Sequence, residues 1–203
     1  MIIKICGLKR PCDIEYVNEL KPDCIGFIFA PGRRRTISKE EAKALKAMLD
    51  KDIKAVGVFV DADIDQILEL LNENIIDVVQ LHGDESEEYI KELKSKTDAP
   101  VIKAFIINEE AKIDQIRESA ADVVLLDGGQ GSGKTFNLEL IGKVRRPYIL
   151  AGGLSVDNIV HFLMASPGGI IGVDVSSAVE TDGFKDYEKI KDFIHKTKSA
   201  AGG

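Results

Sequence analysis

Eight short β-rich runs, each followed by a stretch of helical periodicity, constrain this chain more than anything else in it. The runs cover residues 2–6, 24–29, 54–60, 77–81, 101–106, 122–126, 148–151 and 170–173. Their starts lie about 20 to 30 residues apart, the size of one strand-helix unit. Between them apolar residues recur at helical spacing, as in Ile64, Ile67, Leu68 and Leu71, or Ile90 and Leu93 with charge on the other face. Ser38 followed by Glu41 is a capping-box pattern, and Ser86 precedes a Glu-rich first turn. No stretch within 1–195 reads as a linker, so one domain is expected there, with 196–203 as a frayed tail.

Strands alternating with helices build a parallel sheet, either open and doubly wound, as in a flavodoxin-like arrangement, or closed. Regular spacing and the count of eight favour a single-domain α/β fold of the (β/α)8 TIM-barrel type. Composition narrows the function classes. No apolar run approaches a membrane span, and the opening MIIKICGLKR lacks the apolar core of a signal peptide. No membrane partner is expected. A net charge of −7 argues against a nucleic-acid binder. Cys6, Cys12 and Cys24 form neither an even disulfide set nor a zinc spacing with the histidines, which points to a reducing cytoplasm and no metal. His161 and His195 fall on helical patterns and read as structural.

A barrel places its chemistry at the C-terminal strand ends and the loops that follow. Polar residues and glycines gather there: Cys6-Gly7, Pro31-Gly32-Arg33-Arg34-Arg35, Asp61, His82-Gly83-Asp84, Asp127, Gly152-Gly153 and Asp174 followed by Ser176-Ser177. A free cysteine is usually a small buried hydrophobe. Cys6, however, leaves a strand on the same face as Lys4, whose ammonium would favour a thiolate base. Asp127 follows four apolar residues. It is either a cap for the glycine loop behind it or a carboxyl raised by apolar surroundings and fit for general-acid work. Ala151-Gly152-Gly153-Leu154-Ser155 and Gly172-Val173-Asp174-Val175-Ser176-Ser177 are either plain turns or a phosphate site. The Arg33-Arg34-Arg35 run is either a solvated cluster or the source of a bidentate carboxylate clamp. His82 is open between a core and a site role.

Gly128 to Thr135 also satisfies G-x-x-x-x-G-K-[ST], the phosphate cradle of nucleotide hydrolases. Such a hydrolase normally carries this loop after the strand that opens its nucleotide core, with a magnesium-holding aspartate later. Here it follows the sixth strand. Asp174 could imitate the later aspartate, which keeps the nucleotide reading in view. An eight-residue pattern with four fixed positions can nonetheless arise in any glycine-rich loop, so that reading is the weaker one.

Several phrases, taken in order, carry a resemblance over almost the whole chain. They are Lys4-Ile5-Cys6-Gly7-Leu8, Gly26-Phe27-Ile28-Phe29, Val56-Gly57-Val58-Phe59-Val60 and Val79-Gln80-Leu81-His82-Gly83-Asp84-Glu85. Leu125-Leu126-Asp127, Gly133-Lys134-Thr135-Phe136, Leu150-Ala151-Gly152-Gly153-Leu154 and Gly172-Val173-Asp174-Val175-Ser176-Ser177 complete them. The chain resembles the phosphoribosylanthranilate isomerases of tryptophan biosynthesis. That resemblance implies a (β/α)8 barrel that carries out an Amadori rearrangement of a small sugar phosphate, with no cofactor and no metal. It implies Cys6 as base, Asp127 as acid and Arg35 facing the anthranilate carboxylate. His82, Gly152, Gly153, Leu154, Asp174, Ser176 and Ser177 are then the further substrate-binding residues. The glycine loop becomes the family's Gly-Lys-Thr-Phe phrase rather than a nucleotide cradle. A monomer or homodimer is expected. Three positions depart from the family pattern: Gly32-Arg33-Arg34-Arg35 for a Lys-Ser-x-Arg loop, Ala178 for a glycine, and Asn137-Leu138 for Asp-Trp. Two rivals stay in view, a non-catalytic phosphate-binding barrel and a different sugar-phosphate isomerase or lyase.

Overall fold

The computed structural model describes residues 1–107, 109–128 and 137–202. The strands are β1 (Ile2–Cys6), β2 (Cys24–Ile28), β3 (Lys54–Phe59), β4 (Val78–Leu81), β5 (Val101–Ile106), β6 (Val123–Asp127), β7 (Tyr148–Ala151) and β8 (Ile170–Val175). All eight are parallel, and β8 pairs back onto β1 with Lys4 opposite Asp174, which closes the ring. The helices α1 (Pro11–Leu20), α2 (Lys39–Met48), α3 (Ile64–Asn72), α4 (Glu87–Lys96), α5 (Ile113–Glu118), α6 (Leu138–Lys143), α7 (Ile159–Ala165) and α8 (Tyr187–Ala201) follow the strands in turn. The closed barrel, not the open sheet, is the architecture.

Period-two alternation divides the strand side chains between two cores. Outward residues such as Ile3, Ile5, Val79, Leu81, Val124 and Leu126 pack under the helices. Inward residues Val56, Ile102, Ala104, Leu125, Ile149 and Ala151 fill the barrel. The helix starts behave as their residues dictate: the Ser38 side chain accepts from the N–H of Glu41, and Ser86 accepts from the N–H of Tyr89.

Two features differ from the sequence reading. α8 runs to Ala201, so residues 196–201 are helix rather than a frayed tail. Thr197 is fully buried and its hydroxyl donates to the Phe193 carbonyl, which ties that last stretch down. A hairpin also follows β8, with β9 (Glu180–Thr181) antiparallel to β10 (Phe184–Lys185). Its two connecting residues, Asp182 and Gly183, both have positive φ, 52° and 84°. That is the requirement of a tight two-residue turn, and Asp-Gly meets it.

Candidate active site

The C-terminal ends of the strands surround a cavity of about 160 Å³, lined by Cys6, Arg35, Gln80, His82, Asp127 and Asp174 together with the 151–154 and 175–178 segments. The residues that the resemblance names as catalytic or substrate-binding all line it. Asp61 and Asp84 do not. The Asp61 carboxylate accepts from the N–H of Asp84, and that of Glu85 accepts from the N–H groups of Asp61 and Gly83. Glu85 is itself paired with buried Lys103 at 2.7 Å. These contacts brace the loop that carries His82 against β3 and β5.

On β1, Lys4 and Cys6 both point inward. Lys4 is 1% exposed and its Nζ donates to both carboxylate oxygens of Asp174 at 3.1 Å. Burial works against the ammonium, but the attractions of Asp174 and Cys6 together outweigh it and Lys4 keeps its proton. Gly26 on β2 makes room for this pair of side chains. A Cβ there would stand 2.7 Å from Cys6 Sγ and 3.2 Å from Lys4 Nζ. The sequence reading placed an ammonium beside Cys6, and it is there. Its effect is overruled: burial pushes the Cys6 thiol above its ordinary value although Lys4 and Lys185 pull it down. Free Cys6 therefore rests as a thiol.

Asp127 ends β6, three strands around the ring from β1 by way of β7 and β8. Its side chain is 17% exposed, more open than its apolar run suggests, and its Oδ2 lies 3.3 Å from His82 Nε2. Gly152, with φ 81°, lies directly beneath that carboxylate, and a Cβ there would collide with it. Glycine is required on both counts. His82 Nδ1 in turn meets Gln80 Nε2 at 3.2 Å. Gln80 is 1% exposed, and its Oε1 has no partner among the described residues. A buried acceptor left without a donor costs about 1–3 kcal/mol.

Arg35 is carried to the rim by the loop after β2, which is pinned by Thr36: its hydroxyl donates to the Ala30 carbonyl at 2.6 Å and its N–H to the Arg33 carbonyl at 3.0 Å. Of the three arginines it is Arg35 that lines the cavity. Its Nε and Nη2 donate to Glu180 at 2.6 and 2.9 Å. Arg34 binds the same carboxylate and the Gly183 carbonyl. Buried Lys185 completes the cluster, donating to Glu180 at 2.7 Å and to the Ser176 carbonyl at 3.0 Å. Burial alone would push the Glu180 carboxyl up, but the hydrogen bonds from Arg35, Lys185 and Arg34 bring it down to about 2. Ser176 closes the knot onto β1, its hydroxyl donating to the Cys6 carbonyl at 2.9 Å.

Gly152 and Gly153 both hold positive φ, 81° and 74°, so the backbone after β7 turns its edge to the cavity. Ser177 and Ala178 lie in a single 3-10 turn, Ser177–Val179, with no left-handed φ, so alanine at 178 brings no strain. Asn137 caps α6, accepting from the N–H groups of Glu139 and Leu140. Most of the glycine loop, residues 129–136, lies outside the described residues, and with it Lys134, Thr135 and Phe136. Sequence reasoning missed Gln80, Glu180 and Lys185. For the last two the Asp182-Gly183 turn signal was available; for Gln80 it was strand alternation, which puts it on the face of His82 two residues on.

The sequence matches the family model for N-(5'-phosphoribosyl)anthranilate (PRA) isomerase over residues 3–196. A protein of Thermoanaerobacter sp. (strain X514) named N-(5'-phosphoribosyl)anthranilate isomerase is 42% identical over 204 residues, with 97% of each chain covered. The crystal structure of phosphoribosyl anthranilate isomerase from Thermus thermophilus superposes with a TM-score of 0.85 at 32% identity, covering 98% of this chain and 99% of that one. Another isomerase structure, in complex with reduced 1-(o-carboxyphenylamino)-1-deoxyribulose 5-phosphate, gives 0.84 at 32% identity over 98% and 100%.

Proposed function

We propose a reaction path from one premise: the chain belongs to the N-(5'-phosphoribosyl)anthranilate isomerase family. It is an isomerase of tryptophan biosynthesis, and converts N-(5-phosphoribosyl)anthranilate to 1-(2-carboxyphenylamino)-1-deoxyribulose 5-phosphate. The observation that carries the path is that Cys6 and Asp127 face one cavity from separate strands of the ring, with Arg35 on its rim.

Asp127, protonated, gives its proton to the furanose oxygen. The bond from C1 to that oxygen breaks, and the nitrogen lone pair forms a C1–N iminium. Cys6 as thiolate then removes the proton from C2, and the electron pair flows to the iminium nitrogen to leave an enolamine. Protonation at C1 and loss of the enol proton give the ketose. Acid and base act on different atoms, so they must stand apart. Burial holds Cys6 as a thiol in the free protein. The thiol first gives its proton to solvent, and the positive iminium formed beside it favours the resulting thiolate when the base is needed.

Arg35 spends Nε and Nη2 on Glu180, so Nη1 is the group that meets the anthranilate carboxylate. The backbone of Gly152, Gly153, Leu154, Ser176 and Ser177 holds the phosphate, fixing the sugar over the two catalytic groups. Asp174 acts through Lys4, keeping its ammonium near Cys6. Among the described residues no helix is long and apolar enough to cross a membrane. We place the enzyme in the cytoplasm, as a monomer or homodimer, with a small sugar phosphate as its partner and no nucleic acid, metal or cofactor.

The test is a fluorescence assay with phosphoribosylanthranilate generated in situ, in excess EDTA and without nucleotide. A fast, enzyme-dependent loss of the anthranilate signal is expected. A flat trace from folded protein would remove the assignment, and activity restored only by magnesium and ATP would return the glycine loop to its nucleotide reading.

A further inference from the structure

The floor of the cavity holds one polar side chain that the reaction path leaves unused. Beneath His82 the inward residues are apolar: Val56, Ile102, Ala104, Leu125 and Ile149. Lys4 and Asp174 satisfy one another across the ring. Gln80, two residues before His82 on β4, lines the cavity and is 1% exposed. Its Nε2 faces His82 Nδ1 at 3.2 Å, while its Oε1 is buried with no partner among the described residues. An amide that lines the cavity with one end bonded and the other buried and unpaired calls for an explanation, and a ligand group seated against it would supply one.

We propose that Gln80 is a positioning residue that links the bound sugar to the acid Asp127 through His82. Its amide N–H donates to His82 Nδ1, which leaves the imidazole proton on Nε2. That N–H then points at Asp127 Oδ2, 3.3 Å away. The carboxylate that remains after proton donation receives a hydrogen bond without any rearrangement. Gln80 Oε1 accepts from a hydroxyl on the sugar chain between the anilino carbon and the phosphate. A histidine alone could turn or change tautomer; one held by an amide from its own strand cannot do so without losing that bond. The second half of the proposal rests on the substrate class assigned above, whereas the tautomer does not.

The experiment uses the whole protein and two readouts. The imidazole nitrogens of His82 are followed by 15N NMR with the ring neutral. Wild type is expected to show the proton on Nε2, and Gln80→Met a mixture of both tautomers. A proton on Nδ1 in wild type, or an unchanged spectrum in the variant, overturns the proposal. Affinity is then measured by calorimetry for two probes, the reduced product analogue and inorganic phosphate. Gln80→Met is expected to bind the analogue roughly tenfold more weakly, the loss of one hydrogen bond, with phosphate unchanged. Equal loss for both probes, or no loss, overturns the sugar contact. Should Gln80→Met fail to fold, Gln80→Asn draws the amide back by one methylene and carries the same readouts. A wild type that binds inorganic phosphate but neither turns over phosphoribosylanthranilate nor binds the analogue counts against the reaction, and leaves the tautomer result to stand or fall alone.

Discussion

On the proposed path the base is a buried thiol beside a lysine rather than an exposed thiolate, and the difference is measurable. Burial holds Cys6 above its ordinary value despite Lys4 and Lys185. The fraction of thiolate in the free enzyme therefore increases with pH. The pH profile of kcat/KM should keep rising past about 8.5, where an ordinary cysteine would already be half ionised. A plateau reached near neutrality would show that the thiol is not the group being titrated. Cys6→Ser and Asp127→Asn should each lower kcat by about two to four orders of magnitude while the reduced product analogue still binds. Calorimetry beside the rate assay separates the two effects. Both residues were legible because each ends a strand, where side-chain chemistry is not needed for folding. Gln80 was overlooked, although alternation places it on the same face as His82, because its apolar neighbours make the strand read as core. The pairing of Lys4 with Asp174 was hidden for another reason: 170 residues separate them.

The hairpin β9–β10 is an element whose value lies in one carboxylate. Glu180 holds Arg34, Arg35 and Lys185 at once, so the rim arginine is aimed before substrate arrives. Glu180→Gln should raise KM for phosphoribosylanthranilate roughly tenfold and change kcat less, because binding rather than proton transfer is disturbed. Steady-state kinetics decides it, and an unchanged KM would mean that Arg35 does not need the strut. The same carboxyl sets an acid limit. Its value falls from about 4.3 in an unfolded chain to about 2 in the fold. The clamp is thus complete above about pH 4.3 and is lost as the pH falls towards 2. The strands and helices themselves were readable from periodicity. The hairpin was missed because its strands have two residues each, too short to show alternation.

At the scale of the molecule, the barrel separates stability from chemistry along its axis. The apolar layers inside it lie below the polar groups at the strand ends. Leu125 is fully buried in that interior, two residues before Asp127 on β6. Leu125→Ala should cost about 2–5 kcal/mol. For a chain of this size, that lowers the melting temperature by roughly 2–4 °C for each kcal/mol. Calorimetric melting gives the number, and a loss well under 1 kcal/mol would mean that the interior collapses onto the gap. The eight-unit architecture was legible because it repeats. The direction in which each loop leans over the mouth was not, since that depends on contacts such as Thr36 to Ala30 that no local pattern announces.

The seam where β8 meets β1 joins the first strand of the barrel to the last strand of the barrel. Lys4 is synthesised 170 residues before Asp174, the carboxylate that neutralises it. Until then a nascent chain cannot bury that ammonium without cost, and the thiol two residues on has no finished wall to sit in. Catalytic competence is therefore withheld until β8 has been synthesised. Fragments that stop short of β8 carry Cys6 and Asp127 and yet should remain silent.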